Sequence, residues 1–175
     1  MRRLLLLRHA KAERARPGER DHDRILADRG RADTPKIAHY MARHGLVPDA
    51  AVVSTAARTR ETWALCEPVF ERAPPVVFES RIYEATPQAI MGVIAETAPG
   101  VGTLLVIGHN PGLQELAALL IASGDVDARQ RMNEGFPTSA LAVIGFAFED
   151  WSGVHPHAGR LEHFVTPRAL EPESD

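Results

Sequence analysis

The sequence predicts an α/β fold in which helices cover both faces of a mixed, mainly parallel sheet, giving a three-layer α/β/α sandwich. Two observations support this prediction. Short apolar runs alternate along the chain with longer stretches of helical spacing, a pattern typical of successive β-α-β units. The last two apolar runs are separated only by a turn rich in Gly, His and Pro, which indicates an antiparallel hairpin at the end of the sheet.

The elements follow in order from the same patterns. The predicted strands are apolar or rich in β-branched residues and cover residues 4–7, 51–53, 76–78, 104–107, 140–148 and 160–165. The predicted helices cover residues 33–44, 56–70, 87–98 and 111–123. Gly45 and Gly124 follow the first and last of these helices and serve as helix stop signals.

Composition limits the class of protein. The 175 residues, 45% of them hydrophobic, fit a single domain over residues 1–170, with residues 171–175 as a frayed acidic tail. A net charge of −3 argues against general binding to nucleic acid or to an anionic membrane. The single cysteine, Cys66, excludes an intramolecular disulfide and favours the cytoplasm. No apolar run approaches the ~20 residues that span a bilayer.

Basic side chains and a hydroxyl follow three of the predicted strands, at the points where the strands end. Arg8 and His9 follow the first strand, Ser54 and Arg58 the second, and His109 the strand at 104–107. Ligands of open α/β sheets bind beyond the carboxyl ends of the strands. We therefore expect these side chains to surround one ligand.

The residue types indicate an oxyanion, such as phosphate, as that ligand. Asn110 is a good N-cap and Pro111 suits the first position of a helix, so His109 is expected beside a helix N-terminus with unpaired N–H groups. Arg58 is expected about one turn into the second helix, where its planar guanidinium can match two phosphate oxygens.

The same residues suggest a mechanism. A neutral imidazole can attack phosphorus and hold the phosphoryl group covalently, while cations neutralise the charge on its oxygens. The chain has no Gly-rich phosphate loop and no acidic cluster at metal-binding spacing near these strand ends. We therefore expect neither a metal ion nor another cofactor.

Six sequence elements resemble the histidine phosphatase superfamily, the phosphoglycerate mutase-like proteins. They are LLLLRHAKAE, DRILADRG, STAARTRET, RIYEATP, VIGHNPG and FPTSALAV, in that order. The fit is best with the small SixA-type phosphohistidine phosphatases and extends over nearly the whole chain. Ala10 stands where the superfamily signature has glycine, and Thr55 stands where many relatives have proline. The resemblance implies a phosphoglycerate mutase-like fold.

The resemblance also implies roles for individual residues. His9 would be the nucleophile that accepts phosphate, and Arg8, Arg58 and His109 would bind the phosphoryl oxygens. Glu84 in RIYEATP is the candidate general acid, with an ordinary surface carboxylate as the equal alternative. Three further residues complete the candidate substrate-binding set. Ser54 either contacts the phosphate or caps and packs around Arg58. Lys11 and Arg20 form a positive rim, although a solvated surface explains these two equally well.

The expected function is a metal-independent phosphatase acting on protein phosphohistidine, as carried by a histidine phosphotransfer domain or a phosphocarrier. We expect helices to fill the connections between the site-bearing strands, with no spare segment of ~12 or more residues to form a lid. Such an open site suits a protein substrate. Two alternatives are a phosphatase or mutase acting on small phosphate esters, and a non-catalytic module that binds phosphate or phosphoproteins.

Overall fold

A seven-stranded sheet forms the centre of the computed structural model, which describes residues 1–171. The strands are β1 (Arg2–Arg8), β2 (Ala50–Ser54), β3 (Val76–Glu79), β4 (Thr103–Gly108), β5 (Ile121–Gly124), β6 (Leu141–Phe146) and β7 (Gly159–Val165). Their order across the sheet is β3-β2-β4-β1-β6-β7-β5. Strand β6 is antiparallel to β1 and β7, and the other pairs are parallel. The predicted mixed, mainly parallel sheet with a terminal β6–β7 hairpin is confirmed.

Five helices cover the two faces of this sheet. They are α1 (Asp28–Arg43), α2 (Ala57–Cys66), α3 (Pro87–Ala95), α4 (Gly112–Leu120) and α5 (Val126–Glu134). Side chains of α1 and α2 join one buried apolar cluster, and those of α3, α4 and α5 join the other. The three-layer arrangement therefore follows the prediction.

Strand β1 shows why the sheet needs both helical layers. Its four leucines are at most 1% exposed; Leu5 and Leu7 belong to the cluster of α1 and α2, and Leu4 and Leu6 to the other cluster. Alternate residues of a strand point to opposite faces, so an unbroken leucine run requires apolar cover on both. Each such burial contributes about 1.5–3 kcal/mol, which makes β1 a main anchor of the fold.

The structure corrects several element boundaries. The predicted helix at 111–123 ends at Leu120, and the next four residues pair with β7 as β5. The apolar run continues without a break from helix into strand, so periodicity alone could not separate them. Helix α5 was not predicted, although the Asp125 side chain caps it by accepting from the Ala128 N–H. Helix α1 begins at Asp28, earlier than the predicted residue 33.

The prediction that no long segment is free to cover the site is wrong. Residues 9–27, between β1 and α1, contain only a short 3₁₀ turn at Asp21–Asp23 and an isolated bridge between Ala12 and Leu26. Helix α1 fills only the later part of this connection. The polar residues that precede it remain available to contact the carboxyl ends of the strands.

We propose that residues 1–170 form one domain, because a single sheet supports both buried clusters. The predicted frayed tail at 171–175 lies outside the described residues, except for Glu171. Within residues 1–171, none of the helices combines the length and apolar character that crossing a membrane requires.

Candidate active site

The carboxyl ends of β1 and β4 bring two histidines together. Arg8 lies opposite Gly108 in the parallel ladder, and the His9 N–H donates to the Gly108 carbonyl at 3.0 Å. His9 and His109 therefore leave adjacent strands side by side, with ring centroids 5.2 Å apart. Ser54, the last residue of β2, lies next to them in the same row of strand ends.

His9 presents an unprotonated ring nitrogen. Its Nδ1 lies 2.8 Å from the Ala10 carbonyl oxygen, which can only accept a hydrogen bond, so Nδ1 carries the proton. Nε2 then keeps its lone pair. Burial lowers the pKa of His9 to about 4; the Ala10 bond acts in the opposite direction, and the charges of Arg58 and Arg8 lower the pKa further. The imidazole is thus neutral, as a nucleophile must be.

His109 is also held neutral. The residue is 5% exposed, and its Nε2 forms a 2.8 Å hydrogen bond with Ser54 Oγ. Burial lowers the pKa of His109 to about 3, and the neighbouring His9 and Arg58 lower it further. An approaching dianion would oppose this shift, so His109 can become a cationic ligand of an oxyanion when one binds.

Arg58 is positioned by the start of α2. It is the second residue of that helix and is 4% exposed. The Thr62 hydroxyl donates to the Arg58 carbonyl at 2.7 Å and accepts from the Ala10 N–H at 3.0 Å. Thr62 thereby connects the first turns of α2 to the end of β1. The backbone segments that carry Arg58 and His9 are consequently joined through one side chain.

Arg8 is positioned by the segment before β6. Because β6 is antiparallel to β1, its first residues lie at the edge of the sheet where β1 ends. Arg8 Nη1 donates to the Phe136 carbonyl at 3.0 Å, and the Ser139 N–H is shared by the carbonyls of Arg8 and His9 at 3.1 Å. Burial lowers the pKa of Arg8, and the charge of Arg58 adds to that effect.

Several buried polar atoms at this site have no hydrogen-bond partner within the protein. In the described residues they include Arg8 Nε, Arg58 Nε, His109 Nδ1 and Ser139 Oγ. Buried polar atoms in folded proteins are nearly always satisfied, so their grouping at one place points to a polar ligand. A tetrahedral oxyanion offers several acceptor oxygens and fits this set of donors.

Asp21, which the sequence reasoning missed, contacts the site from the segment 9–27. Arg58 donates from Nη1 to the Asp21 carbonyl at 2.9 Å and from Nη2 to its carboxylate at 3.0 Å. Tyr83 and Arg24 also donate to that carboxylate. The bond from Tyr83, followed by those from Arg24 and Arg58, holds the pKa of Asp21 well below its usual range, so Asp21 stays ionised.

His22 also belongs to this network. Its Nε2 lies 2.8 Å from Thr55 Oγ1, and its ring meets the edge of Tyr83 at 4.8 Å between centroids. The sequence offered only one signal for these contacts, the dense run of charges between residues 19 and 24. That run gave no indication of which of its charged side chains would contact the ends of the strands.

The expected free helix N-terminus beside His109 is also a wrong prediction. Helix α4 begins at Gly112, and the N–H groups of Leu113, Gln114 and Glu115 are already bonded. Their acceptors are the His109 carbonyl, the Asn110 side chain and the Pro111 carbonyl. Asn110 still caps the helix, but these three donors are used within the protein and do not face an anion.

The remaining predicted residues lie outside the central cluster. Glu84 is exposed, has a φ of +48° and lines a cavity that also contacts His109. Lys11 is exposed, and Arg20 is exposed and pairs with Asp23 at 3.2 Å. In residues 1–171, no three His, Cys, Asp or Glu side chains are grouped as metal ligands would be.

Comparisons with known proteins agree with this arrangement. Residues 4–116 match the model of the histidine phosphatase superfamily (branch 1). An uncharacterised protein of Mycobacterium tuberculosis is 36% identical over 165 residues, which cover 93% of this chain and 100% of that protein.

Two solved structures share the fold. A candidate phosphohistidine phosphatase SixA from Agrobacterium tumefaciens is 34% identical, with a TM-score of 0.79 over 95% of this chain and 99% of that one. The protein histidine phosphatase SixA complexed with tungstate is 20% identical, with a TM-score of 0.77 over 97% and 99% of the two chains. The family match covers more than half of the sequence and includes all four central basic residues. The chain belongs to the histidine phosphatase superfamily.

Proposed function

We propose that this chain is a metal-independent phosphatase that forms a covalent phosphohistidine at His9 and acts on phosphohistidine in another protein. The observation that carries the proposal is the neutral, buried imidazole of His9, with Nε2 unprotonated and with Arg8, Arg58 and His109 around it. A nucleophile and the charges that stabilise a phosphoryl group are thus present in one cluster.

The reaction takes place in two displacements. His9 Nε2 attacks phosphorus, the bond to the substrate's imidazole nitrogen breaks, and its electron pair stays on that nitrogen, which takes up a proton. Water then attacks phospho-His9 and releases inorganic phosphate and the free imidazole of His9. Arg8, Arg58 and His109 bind the phosphoryl oxygens in both steps, with Ser54 supporting His109 through its hydrogen bond.

The substrate class rests on leaving-group chemistry and on the relatives. Imidazole has a conjugate acid of pKa about 6.5, so it departs near neutral pH with little help from a general acid. One solved structure of the same fold is a candidate phosphohistidine phosphatase SixA, and another is the protein histidine phosphatase SixA bound to tungstate, a tetrahedral oxyanion. A phosphotransfer domain or phosphocarrier in the cytoplasm is the proposed partner, and Lys11 and Arg20 are the proposed positive rim.

A phosphatase acting on small phosphate esters is the second candidate. An alkoxide leaving group needs a proton, and Glu84 is exposed on the wall of a cavity that His109 also lines. Glu84 is then the proposed general acid. Because segment 9–27 also brings Asp21 beside the site, the site is not fully open. The openness that would suit a protein substrate therefore no longer favours the first candidate.

Turnover measurements separate the possibilities. Phosphate release would be compared between a phosphohistidine-bearing carrier protein and a sugar phosphate, in wild type, His9→Ala, Glu84→Gln and the surface control His39→Ala. The proposal expects rapid release from the carrier protein, no release by His9→Ala, and little effect of Glu84→Gln on kcat. A strong preference for the sugar phosphate that depends on Glu84 would favour the second candidate. Stoichiometric binding without release would indicate a non-catalytic module.

A further inference from the structure

A cavity of about 310 Å³ adjoins the site on the side of His109. It lies between the start of α4 and residues 84–86, which precede α3. Its size is at the lower end of small-molecule pockets, which corresponds to one ring or a short chain. The cavity can therefore hold the group attached to a phosphoryl that the central cluster binds.

The walls of this cavity carry negative charge. Two carboxylates line it, those of Glu84 and Glu115, while no lysine or arginine does. Neither carboxylate forms an ion pair within residues 1–171. The cavity thus differs from the neighbouring phosphate cluster, where Arg8 and Arg58 supply positive charge.

His109 connects the cavity to the phosphate cluster. It lines the cavity, is 5% exposed, and has an Nδ1 with no hydrogen-bond partner in the described protein. Its ring lies 5.2 Å from that of His9. A phosphoryl group within reach of both rings would place its substituent at or near the mouth of the cavity.

Close backbone packing forms one wall of this cavity. A Cβ built on Gly112 would come within 2.3 Å of the Ala85 carbonyl oxygen, so glycine permits the start of α4 to touch the 84–86 segment. Glu84 itself has a φ of +48°, an uncommon conformation for a residue with a side chain. Such conformations persist where the surroundings fix them, often at functional sites.

We infer that this cavity binds the leaving group and that Glu84 and Glu115 select cationic or hydrogen-bond-donating groups over anionic ones. The inference rests on the proposed function, which supplies the phosphoryl site beside it. An imidazole, which is neutral or cationic and carries an N–H donor, suits the cavity. Phosphate esters that carry a carboxylate or a second phosphate at this position are repelled by the two carboxylates.

Two small phosphates provide a matched test of this charge preference. Phosphoethanolamine and phosphoglycolate share a phosphate on a two-carbon chain, but the first ends in an ammonium group and the second in a carboxylate. Calorimetric titration of the wild-type protein with each measures binding without requiring turnover. We expect phosphoethanolamine to bind about fivefold more tightly. Equal affinities, or tighter binding of phosphoglycolate, would overturn the inference.

Charge reversal at Glu115 tests the residue assignment. Glu115 is exposed on α4, so Glu115→Lys is expected to keep the fold and to reverse the preference toward phosphoglycolate. Glu134→Lys makes the same charge change on the exposed surface of α5 and should leave the ratio of affinities unchanged. A ratio that moves equally in both variants would show only a general charge effect and would reject the subsite. Failure to phosphorylate His9 would instead reject the proposed function, whatever the binding ratio.

Discussion

At the scale of single residues, the protonation of His9 matters most. Its buried ring donates through Nδ1 to the Ala10 carbonyl, and the surrounding arginines disfavour a second proton. The backbone just after β1 supplies the carbonyl, the end of β1 supplies Arg8, and the start of α2 supplies Arg58. The local backbone and the charges around it thus cooperate to keep Nε2 available for attack on phosphorus.

This arrangement predicts how His9 titrates. Because its pKa is lowered to about 4, the ring should stay neutral from pH 7 to about pH 5, where an ordinary histidine with a pKa of about 6.5 is mostly protonated. Imidazole ¹⁵N chemical shifts in the ligand-free protein would report both the charge and the tautomer. We expect a protonated Nδ1 and a bare Nε2 through this range. A titration midpoint at or above 6.5 would contradict the prediction.

Asp21 is predicted to position Arg58. Asp21→Ala removes both the carboxylate contact to Arg58 Nη2 and the acceptor for Tyr83, so the guanidinium loses its fixed direction. We expect kcat/KM for phosphohistidine to fall about 10- to 100-fold, as for other small misplacements of a binding group. Asp127→Ala, which removes an exposed carboxylate in the first turn of α5, is the matched control and should change little. An increase in activity would mean instead that Asp21 competes with the substrate for Arg58.

The four central basic residues could be predicted because each directly follows or closely follows a recognisable strand. Arg8, His9, Arg58 and His109 converge through the register of a parallel sheet, which the apolar runs indicate. Asp21, His22 and Tyr83 could not be predicted in this way. Their contacts join distant parts of the chain through irregular segments, and no local periodicity encodes such contacts.

At the scale of secondary structure elements, the strands and helices whose sequences show both a clear period and clear ends were predicted well. Strands β1 and β4 and the β6–β7 hairpin lie where the apolar runs indicated. Errors arose where an apolar run continued past a helix end, as at β5, and where a polar helix had little periodic signal, as at α5. Packing against β7 decides the conformation of residues 121–124, and that partner is distant in sequence.

Gly112 provides a test of how α4 packs beside the site. In Gly112→Ala, the new Cβ would lie 2.3 Å from the Ala85 carbonyl oxygen, so α4 or the 84–86 segment must shift. We expect the free energy of unfolding to fall by about 1–3 kcal/mol in urea titration. Gly92→Ala is the matched control, because it lies in helix α3 with open space around it; it should raise stability by about 0.5–1 kcal/mol. Equal effects of the two changes would contradict the close packing.

At the scale of the whole molecule, placing two neutral histidines in the interior makes stability depend on pH. His9 and His109 have pKa values of about 4 and 3 in the fold and about 6.5 when unfolded. Below pH 6.5 the unfolded chain binds more protons than the native one, so the free energy of unfolding falls as pH decreases, by up to about 1.4 kcal/mol per unit for each histidine.

Urea titrations at pH 7 and pH 5 would measure this dependence. Both pH values lie above most of the range in which carboxylates titrate, so the buried histidines account for much of the difference between them. His9→Gln should lose part of the difference between the two pH values, whereas His39→Gln, on the exposed face of α1, should keep it. The same pH dependence in wild type and His9→Gln would show that His9 is not buried in the neutral form.

The covalent intermediate tests the central claim most directly. The protein would be mixed briefly with a phosphohistidine-bearing carrier protein, quenched in base, where phosphohistidine survives, and digested for mass spectrometry. We predict one phosphoryl group on the peptide that contains His9, attached at Nε2, and its absence in His9→Ala together with loss of phosphate release. Phosphate release at the wild-type rate by His9→Ala, or a phosphoryl group on another residue, would contradict the account.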